Sequence, residues 1–230
     1  MQETKPGSDA EDLLGLAHRR MASRPSTHAQ DPLFPLTRER IVEALSAPAP
    51  SPEPDDLHLA ALQEGMRVTE AAVLVPLVGR SGRVEVLFTQ RTAHLDDHAG
   101  QISFPGGRVE AGDASREATA LRETEEEIGL KSETVTLLGR LPEYEIPSGF
   151  RITPVVGWIE PPFALNPDPF EVAAVFEAPL AHFLDAARYQ RRQFRFRGRH
   201  RHYLAIPFEG RYIWGATAGM LYDLCRMLQR

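Results

Sequence analysis

Three features of exported or membrane-bound proteins are missing from this sequence. It has a single cysteine, Cys225, so no disulfide can form within the chain. The first residues, MQETKPGSDAEDLLG, carry acids where a signal peptide carries basic residues followed by an apolar run. The longest apolar stretch, AAVLVPLVG from Ala71, is too short to span a bilayer. These absences predict a cytoplasmic protein with no membrane partner.

An excess of basic residues is also lacking. The formal net charge is −6, whereas nucleic acids and anionic membranes select for an excess of Lys and Arg. We therefore expect no general nucleic-acid partner, although a local basic site is compatible with this charge. A chain of 230 residues is long enough for one well-buried domain with an extension, and it contains no internal repeat.

The chain divides near residue 65 into two predicted parts. Residues 1–65 form an N-terminal extension that includes a Pro/Ala-rich linker, SAPAPSPEPDD from Ser46, whose composition cannot bury a core. Before the linker, LTRERIVEALS predicts a short amphipathic helix with Thr37 as its N-cap. Residues 66–230 form the main domain.

Alternating apolar residues predict strands from the start of this domain. EAAVLVPLV and RVEVLFTQR lie on either side of the turn GRSGR and predict a hairpin. A helix is predicted from about Ala114 to Ile128, with Asp113 or Ser115 before it and Gly129 after it. We expect further strands at TVTLLGRLP, ITPVVGWIE and EVAAVFEAP, a short helix at LAHFLDAARY, then a late hairpin and a terminal helix, ATAGMLYDLCRMLQR. A mixed sheet with flanking helices, an α/β architecture, fits this order.

The predicted central helix is crowded with glutamates that repel one another at spacings of three and four. At about 100° per residue, Glu123, Glu126 and Glu127 fall within an arc of about 100°, whereas Glu125 points with the apolar residues. One interpretation is a solvated acidic face. The other is a site for a hard divalent cation, which takes oxygen ligands and can hold phosphates at the same time.

The residues around the helix favour the metal site. Gly106 and Gly107 precede the helix, and a missing Cβ lets the backbone approach a ligand or a metal closely. Arg122 lies among the acids as a candidate orienting partner. A metal held in this way suits cleavage of a phosphoanhydride bond.

The segment GGRVEAGDASREATALRETEEEIGL strongly resembles the Nudix box, the signature of hydrolases that cleave nucleoside diphosphates linked to another group. The resemblance implies an α/β/α sandwich, metal ligation by Gly107, Glu123, Glu126 and Glu127, and a structural contact from Arg122 to Asp113. Mg²⁺ or Mn²⁺ is the implied cofactor, and a homodimer is an implied assembly. The box departs from the common form in three ways: an aspartate at position 113, a gap one residue longer before the arginine, and a threonine at position 124 in place of an aliphatic residue.

The stretch LFTQRTAHLDDHAGQISFPGG resembles the extra signature of the coenzyme A pyrophosphatase branch of that family. The positions that agree are Leu87, Thr89, Arg91, Gly100 and the FPGG run from Phe104 to Gly107. The resemblance implies substrate contacts by Arg91, Gly100, Phe104 and Gly106, and the products 3′,5′-ADP and 4′-phosphopantetheine. The departures are Phe88, Thr92 and Asp96. Asp96 replaces an arginine, and its negative charge should repel a phosphate.

An arginine block between Arg188 and Arg201 holds seven arginines and no acid. Strand alternation places Arg195 and Arg197 on one face, where their guanidinium groups could bind substrate phosphate. The alternative interpretations are a solvated strand face and, less well supported by a short patch in an acidic protein, RNA binding.

Two questions stay open in the sequence. Glu171 is a candidate catalytic base, but Glu143 and Glu145 are equally well placed by sequence alone. The function could be hydrolysis of coenzyme A, hydrolysis of another nucleotide such as ADP-ribose, NADH or a dinucleoside polyphosphate, or ligand binding by a Nudix-like module that has lost catalysis. The complete set of helix carboxylates argues against the last.

Overall fold

The structure is a computed structural model that describes residues 36–48, 67–93, 100–146, 149–196 and 199–230, with the backbone alone at 194–196 and 199. Two sheets and four α-helices form its framework. In chain order the elements are α1 (Arg38–Ser46), β1 (Thr69–Arg80), β2 (Arg83–Arg91), β3 (Ile102–Ser103), β4 (Gly106–Arg108), α2 (Arg116–Ile128), β5 (Val135–Arg140), β6 (Tyr144–Glu145), β7 (Phe150–Ile159), β8 (Val172–Pro179), α3 (Leu180–Phe183), β9 (Gln190–Phe196), β10 (Arg199–Phe208), β11 (Arg211–Trp214) and α4 (Ala216–Leu228).

The larger sheet is mixed, and its central pair is parallel. Its strands run in the order β3-β2-β1-β7-β5, with β4 paired to β1, β6 to β7 and β8 to β2. Strands β1 and β7 are parallel, while β1 and β2 form the predicted antiparallel hairpin. The predicted α/β fold with a mixed sheet is therefore confirmed.

Both faces of the sheet are covered, which explains why β1 is almost continuously apolar. Successive side chains of a strand point to opposite faces. Leu74 and Val78 accordingly join a buried cluster with Ala120 of α2, whereas Val75 and Leu77 join the larger cluster on the other face. That second cluster includes residues of α4 and of the smaller sheet.

Helix α2 begins and ends as its flanking residues predict. The Ser115 hydroxyl accepts a hydrogen bond from the amide of Ala118 at 3.2 Å, so Ser115 rather than Asp113 is the N-cap. Gly129 ends the helix in the left-handed conformation, with φ of 68°. Thr124 is buried at an aliphatic position of the box, and its hydroxyl donates to the Ala120 carbonyl at 2.6 Å. This bond satisfies the polar group that the substitution buries.

The C-terminal part differs from the sequence prediction. The expected late hairpin is a three-stranded antiparallel sheet in the order β11-β10-β9. Glu209 and Gly210 connect β10 to β11 with φ of 45° and 79°, the backbone of a tight hairpin turn. The helix predicted at LAHFLDAARY is a single turn, α3, followed by a 3₁₀ turn at Ala186–Arg188.

Helix α1 is the described part of the predicted N-terminal extension. Thr37 caps it as expected, accepting a hydrogen bond from the Arg40 amide at 3.3 Å. Ile41 is completely buried in the larger core cluster, so this helix packs on the domain. The predicted boundary near residue 66 lies outside the described residues and stays a prediction. No described helix is both long enough and apolar enough to cross a membrane.

Candidate active site

Helix α2 presents three carboxylates at very different depths. The Glu126 side chain is 59% exposed and that of Glu123 is 18% exposed, while Glu127 is 9% exposed as a whole residue. The opposite side of the helix packs on the sheet through Ala120 and Ile128. The acidic face is therefore only partly solvated, and its innermost member is buried.

Arg122 anchors the entry loop of this helix to the acidic face. Its Nε and Nη2 atoms donate to the two carboxylate oxygens of Asp113, each at 3.0 Å, and Nη2 also donates to the Arg108 carbonyl at 3.1 Å. Asp113 additionally accepts from the Thr119 hydroxyl at 2.8 Å and from the Glu110 amide at 2.9 Å. These bonds, with the Arg122 contact first, hold the pKa of Asp113 well below its usual range. The predicted contact between Arg122 and Asp113 is confirmed.

The remaining nitrogen of Arg122 contacts two of the three helix carboxylates. Nη1 lies 2.9 Å from Glu123 Oε1 and 3.0 Å from Glu126 Oε2. In this structure a guanidinium therefore supplies the positive charge between those two acids.

Two glycines bring backbone against the same carboxylates. A Cβ at Gly107 would overlap the carboxylate of Glu123, so only glycine permits this approach. Gly106 has φ of 154°, and a Cβ there would collide with the backbone of Ala72 and Val73 in β1. A backbone hydrogen bond from Gly106 also reaches Glu127. The glycines thus place β4 directly beside the acidic face.

Glu127 is the most perturbed carboxyl of the helix. Burial, followed by repulsion from Glu171 and Glu123, raises its pKa to about 8, against the opposing effects of the Gly106 hydrogen bond and the Arg91 charge. Burial also raises the pKa of Glu123, against the opposing effect of Arg122. Negative charge is therefore costly here, and a bound cation would lower that cost.

The three candidate bases have different neighbours in the structure. The negative charge of Glu171 raises the pKa of Glu127. Glu145 instead forms an ion pair with Arg151 at 2.9 Å, and Glu143 is an exposed side chain 3.9 Å from the same guanidinium. Of the three, Glu171 is the one that the fold brings to the helix carboxylates.

Arg91 is the last residue of β2, close to Glu127, and its backbone pairs with that of Val172 in β8. Its Nε is buried and has no hydrogen-bond partner among the described residues. A buried donor without a partner is costly, so a ligand oxygen is the natural acceptor for it.

The four other predicted substrate contacts differ from one another in what the structure shows. The ring of Phe104 is buried and stacks on Phe88 at 5.3 Å between centroids, so it packs in the core, and its substrate contact stays a prediction. Gly100 forms the turn before β3 with φ of 69°. Arg195 pairs through its backbone with His200, and its side chain is not among those described. Arg197 and Asp96 lie outside the described residues.

Of the loop from Glu160 to Glu171, only Glu171 was predicted as part of the site. The amides of Asn166 and Asp168 donate to the carbonyls of Ile128 and Glu127, at 2.8 and 2.9 Å. These bonds satisfy carbonyls that the end of a helix leaves unpaired. The turn residues in LNPDPFE signal a loop, but nothing in them indicates which helix the loop contacts.

The donor set fits a hard divalent cation, although it is not a preformed cage. Among the described residues, no three acidic, His or Cys side chains are arranged around one metal position. One physical reason for this absence is that Arg122 occupies the space between Glu123 and Glu126. Carboxylate oxygens beside a glycine backbone, where burial and then repulsion raise the pKa values of Glu123 and Glu127, are nevertheless the oxygen-rich environment that Mg²⁺ and Mn²⁺ select.

Two solved structures are similar to part of this chain. The structure is similar to an Ap4A hydrolase binary complex of C. elegans, with a TM-score of 0.42 and 22% identity over 48% of this chain and 80% of that one. It is also similar to the Nudix hydrolase RenU of M. smegmatis, with a TM-score of 0.43 and 20% identity over 52% of this chain and 81% of that one.

Sequence comparison is more informative. The model of the NUDIX domain matches residues 68–197, more than half of the chain. A relative in Citrobacter koseri, described as the uncharacterized Nudix hydrolase NudL, is 44% identical over 162 residues, which are 70% of this chain and 83% of that protein. Its counterpart in Escherichia coli K12 is 43% identical over 163 residues, 70% of this chain and 84% of that protein. The chain therefore belongs to the Nudix family and is a Nudix hydrolase, an enzyme that cleaves phosphoric anhydride bonds.

Proposed function

We propose that this enzyme hydrolyses the pyrophosphate bond of coenzyme A or its derivatives, giving 3′,5′-ADP and 4′-phosphopantetheine. The observation that carries the proposal is that Arg91, a residue of the coenzyme A signature, lies near enough to Glu127 to lower its pKa. Glu171 also lies near Glu127 and raises that pKa. A buried guanidinium nitrogen beside a cluster of carboxylates suits a pyrophosphate that is bound both by arginine and by a cation.

The helix carboxylates would hold the divalent cation that Nudix hydrolases generally use. In this proposal the ion is Mg²⁺ or Mn²⁺, and its ligands are Glu123, Glu126, Glu127 and the backbone at Gly107. Bound there, the cation would neutralise phosphate charge and lower the pKa of a coordinated water.

Each remaining residue has a role that follows from its contacts. Arg91 donates to phosphate oxygens through a nitrogen that has no described partner. Glu171 accepts the proton of the attacking water, because it is the candidate base that lies beside Glu127. Arg122 orients Glu123 and Glu126 from its fixed position on Asp113.

The arginine block is proposed to contact the 3′-phosphate that distinguishes coenzyme A. Arg195 belongs to β9, and Arg191 and Arg192 of the same strand are exposed. This strand lies in an acidic protein, so a local cluster of arginines is the available surface for a phosphate that projects away from the cleaved bond. The homodimer implied by the family resemblance stays a prediction.

A second candidate function is hydrolysis of a different nucleotide. The observation that favours it is Asp96, which reverses a charge within the coenzyme A signature. ADP-ribose, NADH and dinucleoside polyphosphates lack the 3′-phosphate and would not need an arginine at that position.

A substrate panel decides between the two. Coenzyme A, dephospho-coenzyme A, ADP-ribose, NADH and a dinucleoside polyphosphate are incubated with the full chain and Mg²⁺ or Mn²⁺, and the products are separated by chromatography. We expect the highest kcat/KM for coenzyme A, with 3′,5′-ADP as a product. A higher kcat/KM for a nucleotide without the 3′-phosphate would instead support the second function.

A further inference from the structure

We propose that Phe170 is the surface on which the nucleobase of the substrate stacks. This assignment rests on the proposed nucleotide hydrolysis and adds a specificity residue to it. The Phe170 residue is 64% exposed, compared with 40% for Leu137 and 38% for Val42, the other large hydrophobic residues exposed in the described structure. Exposure of one apolar residue is ordinary, so the inference depends on how and where this one is held.

The backbone of Phe170 is fixed on both sides. Its carbonyl accepts a hydrogen bond from the Thr92 hydroxyl at 2.8 Å, and its amide donates to Asp168 Oδ1 at 2.8 Å. Pro169 precedes it and restricts the chain further. An exposed aromatic residue on a fixed backbone loses little conformational freedom when a ligand binds, which favours recognition.

The same loop is attached to the catalytic helix. The Asp168 amide donates to the Glu127 carbonyl at 2.9 Å, and the Thr92 amide donates to the Glu171 carbonyl at 3.0 Å. Phe170 therefore lies beside Glu171 in the chain and is hydrogen-bonded to the residue that follows Arg91. Glu171 is the proposed base, and Arg91, which precedes Thr92, is the proposed phosphate-binding arginine.

The chemistry of the two halves of the substrate indicates which half contacts Phe170. A nucleobase offers a flat π-face to an aromatic ring, whereas the pantetheine arm is a flexible chain without a ring. A phosphate bound at Arg91 would bring the attached nucleoside to the neighbourhood of Phe170. An adenine ring is thus the group that this residue is suited to hold.

Equilibrium binding of two non-hydrolysable fragments tests the assignment. Calorimetry measures the Kd values of AMP and ribose 5-phosphate for the full chain with Mg²⁺, and these ligands differ only in the base. The parent should bind AMP more tightly. Phe170→Ala should weaken AMP binding by roughly tenfold, with ribose 5-phosphate changed by less than about twofold.

Two variants control the comparison. Phe170→Tyr keeps the ring and should retain the affinity of the parent for AMP. Leu137→Ala removes another exposed apolar side chain on β5, at the opposite edge of the larger sheet, and should change neither Kd.

Three results would overturn the proposal: equal affinity of the parent for the two ligands, an equal loss for both in Phe170→Ala, or no loss of AMP binding in that variant. Neither fragment is a substrate. A failure of coenzyme A in the substrate panel would therefore leave this comparison intact, so the two hypotheses can fail separately.

Discussion

Replacing Glu127 by glutamine should make the metal-free protein more stable at alkaline pH while removing most of its activity. Burial and the charges of Glu171 and Glu123 raise the pKa of Glu127 from 4.5 to about 8. In the unfolded chain the group ionises near 4.5. Between these values the folded state holds a proton that the unfolded state has lost, so stability falls as pH rises through this window.

The size of the effect follows from the shift. One pKa unit corresponds to about 1.36 kcal/mol, so a shift from 4.5 to about 8 sets an upper bound of about 5 kcal/mol. Structural relaxation and entering water reduce this bound, and we expect about 2–3 kcal/mol. For a chain of this size, the corresponding change in Tm is roughly 4–12 °C.

The assay is denaturant unfolding in chelator at pH 5 and pH 9. The parent should lose about 2–3 kcal/mol between the two values, whereas Glu127→Gln, which cannot ionise, should lose little of that amount. At pH 9 the variant should therefore be the more stable protein. Added Mg²⁺ should stabilise the parent more than the variant, because the cation binds the ionised carboxylate in the folded state.

Turnover in the presence of metal provides the second measurement. Glu127→Gln should lower kcat by about two to three orders of magnitude, the loss typical when a group that stabilises developing charge is removed. Glu125→Gln is the matched control, because Glu125 lies on the same helix but pairs with Lys131 at 2.7 Å. The control should keep its activity. Near-parental turnover of Glu127→Gln, or parental stability that does not vary with pH in chelator, would refute the reasoning.

Two further predictions concern structure rather than catalysis. Arg122→Ala should lower the free energy of unfolding by about 2 kcal/mol, because the Asp113 side chain, only 6% exposed, loses two charge-assisted hydrogen bonds. Lys131→Ala, which breaks the more exposed pair with Glu125, should lower the free energy of unfolding less than Arg122→Ala does, and equal losses in denaturant unfolding would contradict this difference. Burial raises the pKa of the Cys225 thiol to about 12, so a thiol reagent at pH 8 should label the native protein only as it unfolds. Rapid labelling without denaturant would show that the thiol is accessible.

The parts of the site that sequence predicted correctly are those set by local spacing. The helical repeat places Glu123, Glu126 and Glu127 on one face, while the contact of Arg122 with Asp113 was implied by the resemblance to the Nudix box. Spacing could not choose among the candidate bases, because Glu171, Glu143 and Glu145 all follow strands or loops at similar distances. In the folded chain Glu143 and Glu145 lie beside Arg151 and Glu171 acts on Glu127, which supports the proposal of Glu171 as the base.

Long-range packing accounts for what the sequence did not show. Phe104 belongs to a motif that suggests ligand contact, yet its ring turns into the core against Phe88. The loop before β8 reaches α2 through backbone hydrogen bonds to the last turn of that helix, and every residue except proline carries the same backbone donor and acceptor. The proposed role of Phe170 in base stacking had no signal of its own in the sequence.

The crowding of acids on α2 can be understood from the partner of each one. Glu125 pairs with Lys131, Glu117 with Arg140, and Glu123 and Glu126 share Arg122. Within the described parts of the chain no ion pair reaches Glu127, although it is the most deeply buried of the five. A structural acid at that depth would carry its own counter-charge, because an unpaired buried carboxylate destabilises the fold. The missing charge is therefore expected from outside the chain, and a divalent cation bound beside Glu127 would supply it.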